Sequence, residues 1–137
     1  MAKEIKLNLI SPGRETITKD VIKVSTKTSD GVIEFLANHA PIICSTIPTV
    51  TIITKADGGN ESIFTSTGVV TIKDNVINFC CDSINWPDEI DRERAERSLE
   101  RANKRLQEES KEKEKNIDVQ RAQRALARAK ARLKLKQ

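Results

Sequence analysis

The sequence predicts an all-β N-terminal sandwich followed by an antiparallel two-helix C-terminal hairpin, and three observations carry the prediction. Composition changes abruptly near Trp86: nearly all β-branched residues and every Phe and Trp precede it, and Ala, Leu, Arg, Lys, Glu and Gln dominate after it. Before that point, short apolar runs alternate at period two between turn residues. Beyond it, two apolar stripes recur at helical spacing. The chain therefore divides into a sandwich domain over residues 1–86 and a hairpin domain over 87–137. Charge divides with it: eight Lys/Arg against nine Asp/Glu in the first part, sixteen against eleven in the second.

Ile5, Leu7 and Leu9 alternate with Lys6 and Asn8 until Ser11-Pro12-Gly13 breaks the run. Ile22 and Val24 alternate with Lys23 and Ser25 ahead of the Ser29-Asp30-Gly31 turn. Residues 32–36 are mostly apolar and close at Asn38-His39-Ala40-Pro41, and residues 42–47 end at Pro48. Residues 49–54 alternate through Val50 and Ile52, and Asp57-Gly58-Gly59-Asn60 is a strong hairpin signal. Residues 62–65, 68–73 and 76–81 then form three more strands, the last two joined by an Asp74-Asn75 turn. Short strands at this spacing, with no helix between them, indicate a sandwich or barrel rather than a parallel α/β sheet.

In the second part, Pro87-Asp88-Glu89 suits a first helical turn. Ala95, Leu99, Ala102 and Leu106 then share one helix face, and Ala122, Leu126, Ala129 and Leu133 repeat the spacing. Residues 107–116 carry no apolar side chain, and Asp118 is placed to cap the second helix. Matching Ala/Leu stripes predict antiparallel helices in close approach. Their burial is thin, so the hairpin should be marginally stable by itself and able to open toward a better surface. Arginine rows flank the stripes: Arg94, Arg97, Arg101 and Arg105 on the first helix, Arg121, Arg124, Arg128 and Arg132 on the second. Their guanidinium groups either pair with neighbouring acids or converge on an anion, such as a nucleotide phosphate or an acidic protein surface.

Other chemistries are poorly served. The N-terminal residues hold no secretory apolar stretch, and no run approaches the length that spans a bilayer. Cys44, Cys80 and Cys81 are odd in number with two adjacent, which suits neither disulfides nor a metal site and points to a reduced, cytosolic compartment. On a strand, one of Cys80 and Cys81 faces the core and the other away. His39 is the single histidine, there is no phosphate-binding glycine loop, and no catalytic set or metal cluster stands out. The rival reading is a nucleic-acid binder, or a generic adaptor, with a basic helical tail. Missing aromatic stacking residues and the acids within the first helix count against it.

Three collinear segments resemble the epsilon-subunit family of bacterial F-type ATP synthases. They are Asp30-Gly31 with Leu36-Ala37-Asn38-His39-Ala40-Pro41, then Ile90-Asp91-Arg92-Glu93-Arg94-Ala95, then the Arg121-Ala122, Ala125-Leu126, Arg128-Ala129 and Arg132-Leu133 repeat. The resemblance implies a non-catalytic central-stalk subunit, peripheral on the cytoplasmic face of the plasma membrane as part of F1. It implies a sandwich bound to the gamma subunit and facing the c-ring, through turns holding Asp30, Val32, Asn38 and His39. It also implies a hairpin that lies folded, or extends toward the α/β hexamer and inhibits ATP hydrolysis through Arg121, Arg124, Arg128 and Arg132. No cofactor is required, and regulatory ATP is the implied ligand of the folded form, at Ile90, Asp91, Arg94, Ala95, Arg101, Arg128 and Arg132. The sequence departs from ATP-binding members at Asn85, where they place an acid, and from a common acid at Val32.

Overall fold

The computed structural model describes residues 3–109 and 116–136. The strands are β1 (Ile5–Ile10), β2 (Ile17–Thr28), β3 (Gly31–Leu36), β4 (Ile42–Thr46), β5 (Thr49–Lys55), β6 (Asn60–Thr65), β7 (Gly68–Lys73), β8 (Val76–Cys81) and β9 (Ile84–Asn85). A 3-10 turn at Pro87–Glu89 leads to α1 (Arg92–Glu109) and α2 (Asn116–Lys136). The strand order is β4-β7-β8-β1-β2-β5-β6-β9, with β3 also on β2. All pairings are antiparallel except β1 with β8.

The long strand β2 doubles this sheet into two layers. Its first half pairs with β1, its second half pairs with β3, and β5 takes the opposite edge. A bulge between Val21 and Lys23 marks the fold-over. Here the sequence expectation shifts: Val21 is buried with Val24, and Ile22 stands half out of the core, because the bulge breaks the period of two. Between the layers lie Leu7, Leu9, Phe35, Ile53, Ile77 and Phe79, all essentially inaccessible.

Strand β5 also differs from expectation. Its inward residues are Thr49, Thr51 and Ile53, while Val50 and Ile52 point outward. Threonine is tolerated inside because the hydroxyls are satisfied across strands: Thr51 Oγ1 lies 2.9 Å from Thr26 Oγ1 and 2.6 Å from Thr65 Oγ1. The outward side is not bulk solvent, since α2 lies against β5 and β6 and covers Phe64, which neighbours Val50 in the ladder.

The expected turns form. Asp74 and Asn75 both adopt positive φ, 52° and 60°, the geometry of a type I′ hairpin. Gly68 permits a close approach: a Cβ there would sit 2.1 Å from the Cys80 carbonyl oxygen. Cys81 is buried and Cys80 exposed, so the adjacent thiols divide between the two faces of β8.

The helices pack antiparallel along the expected stripes. Ala95 and Ala102 of α1, and Ala122 and Ala129 of α2, are buried. Leu99, Leu106, Leu126 and Leu133 are only half-buried, so small residues make the close contact. The connection at 110–115 lies outside the described residues, as does the Asp118 side chain.

Candidate functional site

Pro87 does not start α1, as the sequence suggested; it opens the separate 3-10 turn. Ile90 then stays extended at φ −92°, ψ 121° and turns its side chain into a cluster with Phe64, Ala131 and Leu135. Burial of Ile90 thus interrupts the helix before it begins. Asp91 restarts it, its carboxylate Oδ1 accepting the Arg94 backbone N–H at 3.2 Å as an N-cap.

The segment before this break is anchored to the sandwich by two carboxylates. Trp86 donates its indole N–H to Glu61 Oε1 at 2.6 Å, and Lys19 donates to Glu61 Oε2 at 2.8 Å. The Lys19 bond and the Trp86 bond hold the Glu61 carboxyl below its usual range against the opposing effect of burial. The Trp86 backbone N–H reaches Glu89 Oε1 at 3.0 Å. Glu89 is also ion-paired through both oxygens to Arg14 of the β1–β2 loop, which lowers its pKa and raises that of Arg14.

A cleft of ≈ 280 Å³ opens where this anchored segment, the start of α1 and the end of α2 meet. Asn85, Ile90, Asp91, Arg94, Ala95 and Arg132 are among its walls, with Glu89 and Ser98. Of the seven residues named for ATP, five therefore meet here. Arg101 faces another surface, beside Arg97 and Lys104, with its guanidinium on Ser98 Oγ at 3.4 Å. Arg128 stands outside the lining but near enough to act on Arg132. Burial chiefly, then the charges of Arg128 and Arg94, push the Arg132 guanidinium below its ordinary value. Arg94 and Arg132 thus share the cleft wall with the carboxylates of Glu89 and Asp91, and Arg128 adds a third positive charge from outside the lining.

Arg132 itself is held by Phe64 and Ser83, which the sequence did not single out, and by Asn85, which it marked only as a departure. Its guanidinium lies 4.4 Å from the Phe64 ring centroid. Nε donates to Asn85 Oδ1 at 3.2 Å and Nη2 to Ser83 Oγ at 3.3 Å. Phe64 carried a signal: an aromatic side chain on the outward phase of a strand needs a cover.

The remaining named residues lie elsewhere. Arg121 and Arg124 are exposed along α2. Asp30 is exposed in the β2–β3 turn, its N–H on Thr28 Oγ1 at 3.2 Å, and Val32 is 63% exposed. Asn38 and His39 sit past the other end of β3, roughly 20 Å away along an extended strand. Asn38, at φ 62°, donates its N–H to Asn75 Oδ1 at 2.8 Å, and His39 rests edge-on against Phe35. Strand β3 therefore separates the four residues into two pairs.

Among the described residues, no group of His, Cys, Asp and Glu is placed to hold a metal ion, and no helix is long and apolar enough to cross a membrane.

Residues 4–87 match the family model of the ATP synthase delta/epsilon chain beta-sandwich domain, and residues 88–137 match that of its long alpha-helix domain. The ATP synthase epsilon chain of Clostridium acetobutylicum is 42% identical over 106 residues, covering 77% of this chain and 80% of the relative. That of Clostridium perfringens is 42% identical over 109 residues, covering 80% and 82%. In fold, the chain superposes on one in the Euglena gracilis mitochondrial ATP synthase with a TM-score of 0.78 at 21% identity, covering 93% of this chain and 78% of the other. A sandwich doubled about β2, a helical hairpin against its β5–β6 face and these matches along both parts lead to one assignment: the chain belongs to the epsilon-subunit family of bacterial F-type ATP synthases.

Proposed function

We propose that this chain is a non-catalytic stalk subunit that couples rotation to ATP synthesis and restrains ATP hydrolysis through its hairpin. The sandwich binds the gamma subunit and faces the c-ring, and the assembly places the chain peripherally on the cytoplasmic face of the bacterial plasma membrane. The observation that carries the regulatory half is the thinness of the hairpin's seat. Among the described residues, its buried apolar cluster on the sandwich is small, Phe64, Ile90 and Ala131 with Leu135, against an independent core between the sandwich layers. A helix pair seated this lightly exchanges one surface for another at small cost. Arg121 and Arg124, already exposed, then meet acidic surface on the α/β hexamer together with Arg128 and Arg132.

Truncation after Trp86 tests this. Hydrolysis by the assembled enzyme should rise with assembly intact; unchanged hydrolysis under conditions that favour the extended hairpin removes the inhibitory role.

A second reading is supported by the guanidinium groups of Arg94 and Arg132 in the cleft wall, with Arg128 outside the lining: the folded hairpin binds ATP there, its phosphates at Arg94, Arg128 and Arg132. A ligand of the folded form alone stabilises it by about 2.7 kcal/mol at 100 times its dissociation constant. Calorimetry of the purified chain with ATP decides this reading. Absence of binding at millimolar ATP, or equal binding by Arg94→Ala, sets it aside.

A further inference from the structure

We infer that Arg132 is the bolt of a ligand-independent latch, clamping the end of α2 to the β6–β9 corner of the sandwich through protein groups alone. The inference rests on the proposed reading that the hairpin has a second position away from the sandwich. It adds what keeps the first position occupied when no nucleotide is bound.

One guanidinium engages three sites on the sandwich. Its face covers Phe64 of β6 at 4.4 Å, Nε reaches Asn85 of β9, and Nη2 reaches Ser83 in the turn before it. A planar, delocalised cation does this; an ammonium cannot stack and fork at once. Asn85 fits the role because its amide oxygen accepts without adding charge. On either side of the bolt, Ala131 and Leu135 close over Phe64 and Ile90, and Lys136 Nζ donates to the Pro87 carbonyl at 2.9 Å.

The fixed plate of the latch is the anchored segment. Trp86 is bonded to Glu61, and Glu89 joins the Trp86 N–H to Arg14. Residues 86–89 therefore stay with the sandwich, and movement is concentrated at Ile90, whose burial depends on α2. The contacts hold Arg132 against the cost of its burial and the repulsion of Arg128 and Arg94. The latch holds by geometry against its own electrostatics.

The test uses the full chain without nucleotide. Trp86, the only tryptophan, is the donor for energy transfer to an acceptor on Lys134→Cys, with Cys44 and the exposed Cys80 replaced by serine. The parent should show high transfer. Arg132→Gln should shift the docked-to-open ratio toward open by at least tenfold, and Arg132→Lys by less. Circular dichroism read alongside separates undocking from loss of helix. A control, Ala131→Glu, forces a charge against Phe64 and opens the hairpin by another route. If the control opens and Arg132→Gln stays docked, the bolt is wrong and the mobile hairpin stands. Low transfer in the parent overturns the ligand independence. High transfer in every variant overturns both the latch and the mobile hairpin.

Discussion

Single residues show which positions the fold leaves no freedom. At Gly68 the obstacle is the backbone of the neighbouring strand, with the Cys80 carbonyl oxygen 2.1 Å from where a Cβ would stand. Backbone in a paired strand cannot step aside, so Gly68→Ala should cost about 3 kcal/mol in urea denaturation. Glu61 raises a matter of charge instead. Its carboxyl titrates below its ordinary 4.5 in the folded chain, chiefly through Lys19 and secondly through Trp86. A depressed carboxylate stabilises the fold above its unfolded pKa, and that contribution is lost as pH falls through the folded value. Glu61→Gln keeps an oxygen for Trp86 and loses the ion pair, so it should cost about 1 kcal/mol at pH 7 and progressively less as acid titrates the folded carboxyl. Denaturation of both chains across that range checks the sign; a cost that does not fall in acid assigns it to packing.

At the scale of elements, the sequence was readable wherever a turn needs a particular backbone. Asp74-Asn75 and Asp57-Gly58 announce hairpins because few residues accept positive φ, and both form. It was less readable where burial contradicts polarity. Alternation through Val50 and Ile52 put the wrong face of β5 inward, since nothing local shows that Thr51 finds hydroxyl partners on two other strands. The bulge at Val21–Lys23 was hidden in the same way: a change of layer is a property of long-range pairing. The threonine ladder makes a paired prediction. Thr51→Val strands the Thr26 and Thr65 hydroxyls in the core and should cost about 2–3 kcal/mol. Thr46 Oγ1 is buried with no hydrogen-bond partner among the described residues, so Thr46→Val should be neutral or stabilise by about 1 kcal/mol. Equal losses for the two variants would show that the ladder contributes no more than volume.

For the whole molecule, the two parts divide the apolar surface unequally, and this decides what the hairpin means to the sandwich. The candidate cleft was half readable: the stretch Ile90 to Ala95 carries its motif in sequence, whereas Arg132 reaches the wall only through docking, on Phe64, Ser83 and Asn85. The principal core draws on residues from Ile5 to Ile84, with Trp86 at its edge and, among the described residues, nothing from the helices. A fragment ending at Ile90 should therefore unfold cooperatively like the parent sandwich. Phe64 is the exception, inaccessible in the full chain only because Ala131, Leu135 and Arg132 cover it. Removing α2 leaves that ring bare beside the outward Val50 and the 39%-exposed Ile52, an apolar patch that promotes association. The fragment should self-associate in sedimentation, and Phe64→Ser should return it to monomer. In the full chain the same substitution leaves the sandwich core intact and removes the hairpin's seat, worth about 3 kcal/mol for a buried aromatic ring. Amide exchange should then rise at Ile90 and along the last turns of α2, with the strands unchanged. Unaltered exchange there, or a fragment monomeric with Phe64 in place, would mean that the hairpin is held by something other than this ring.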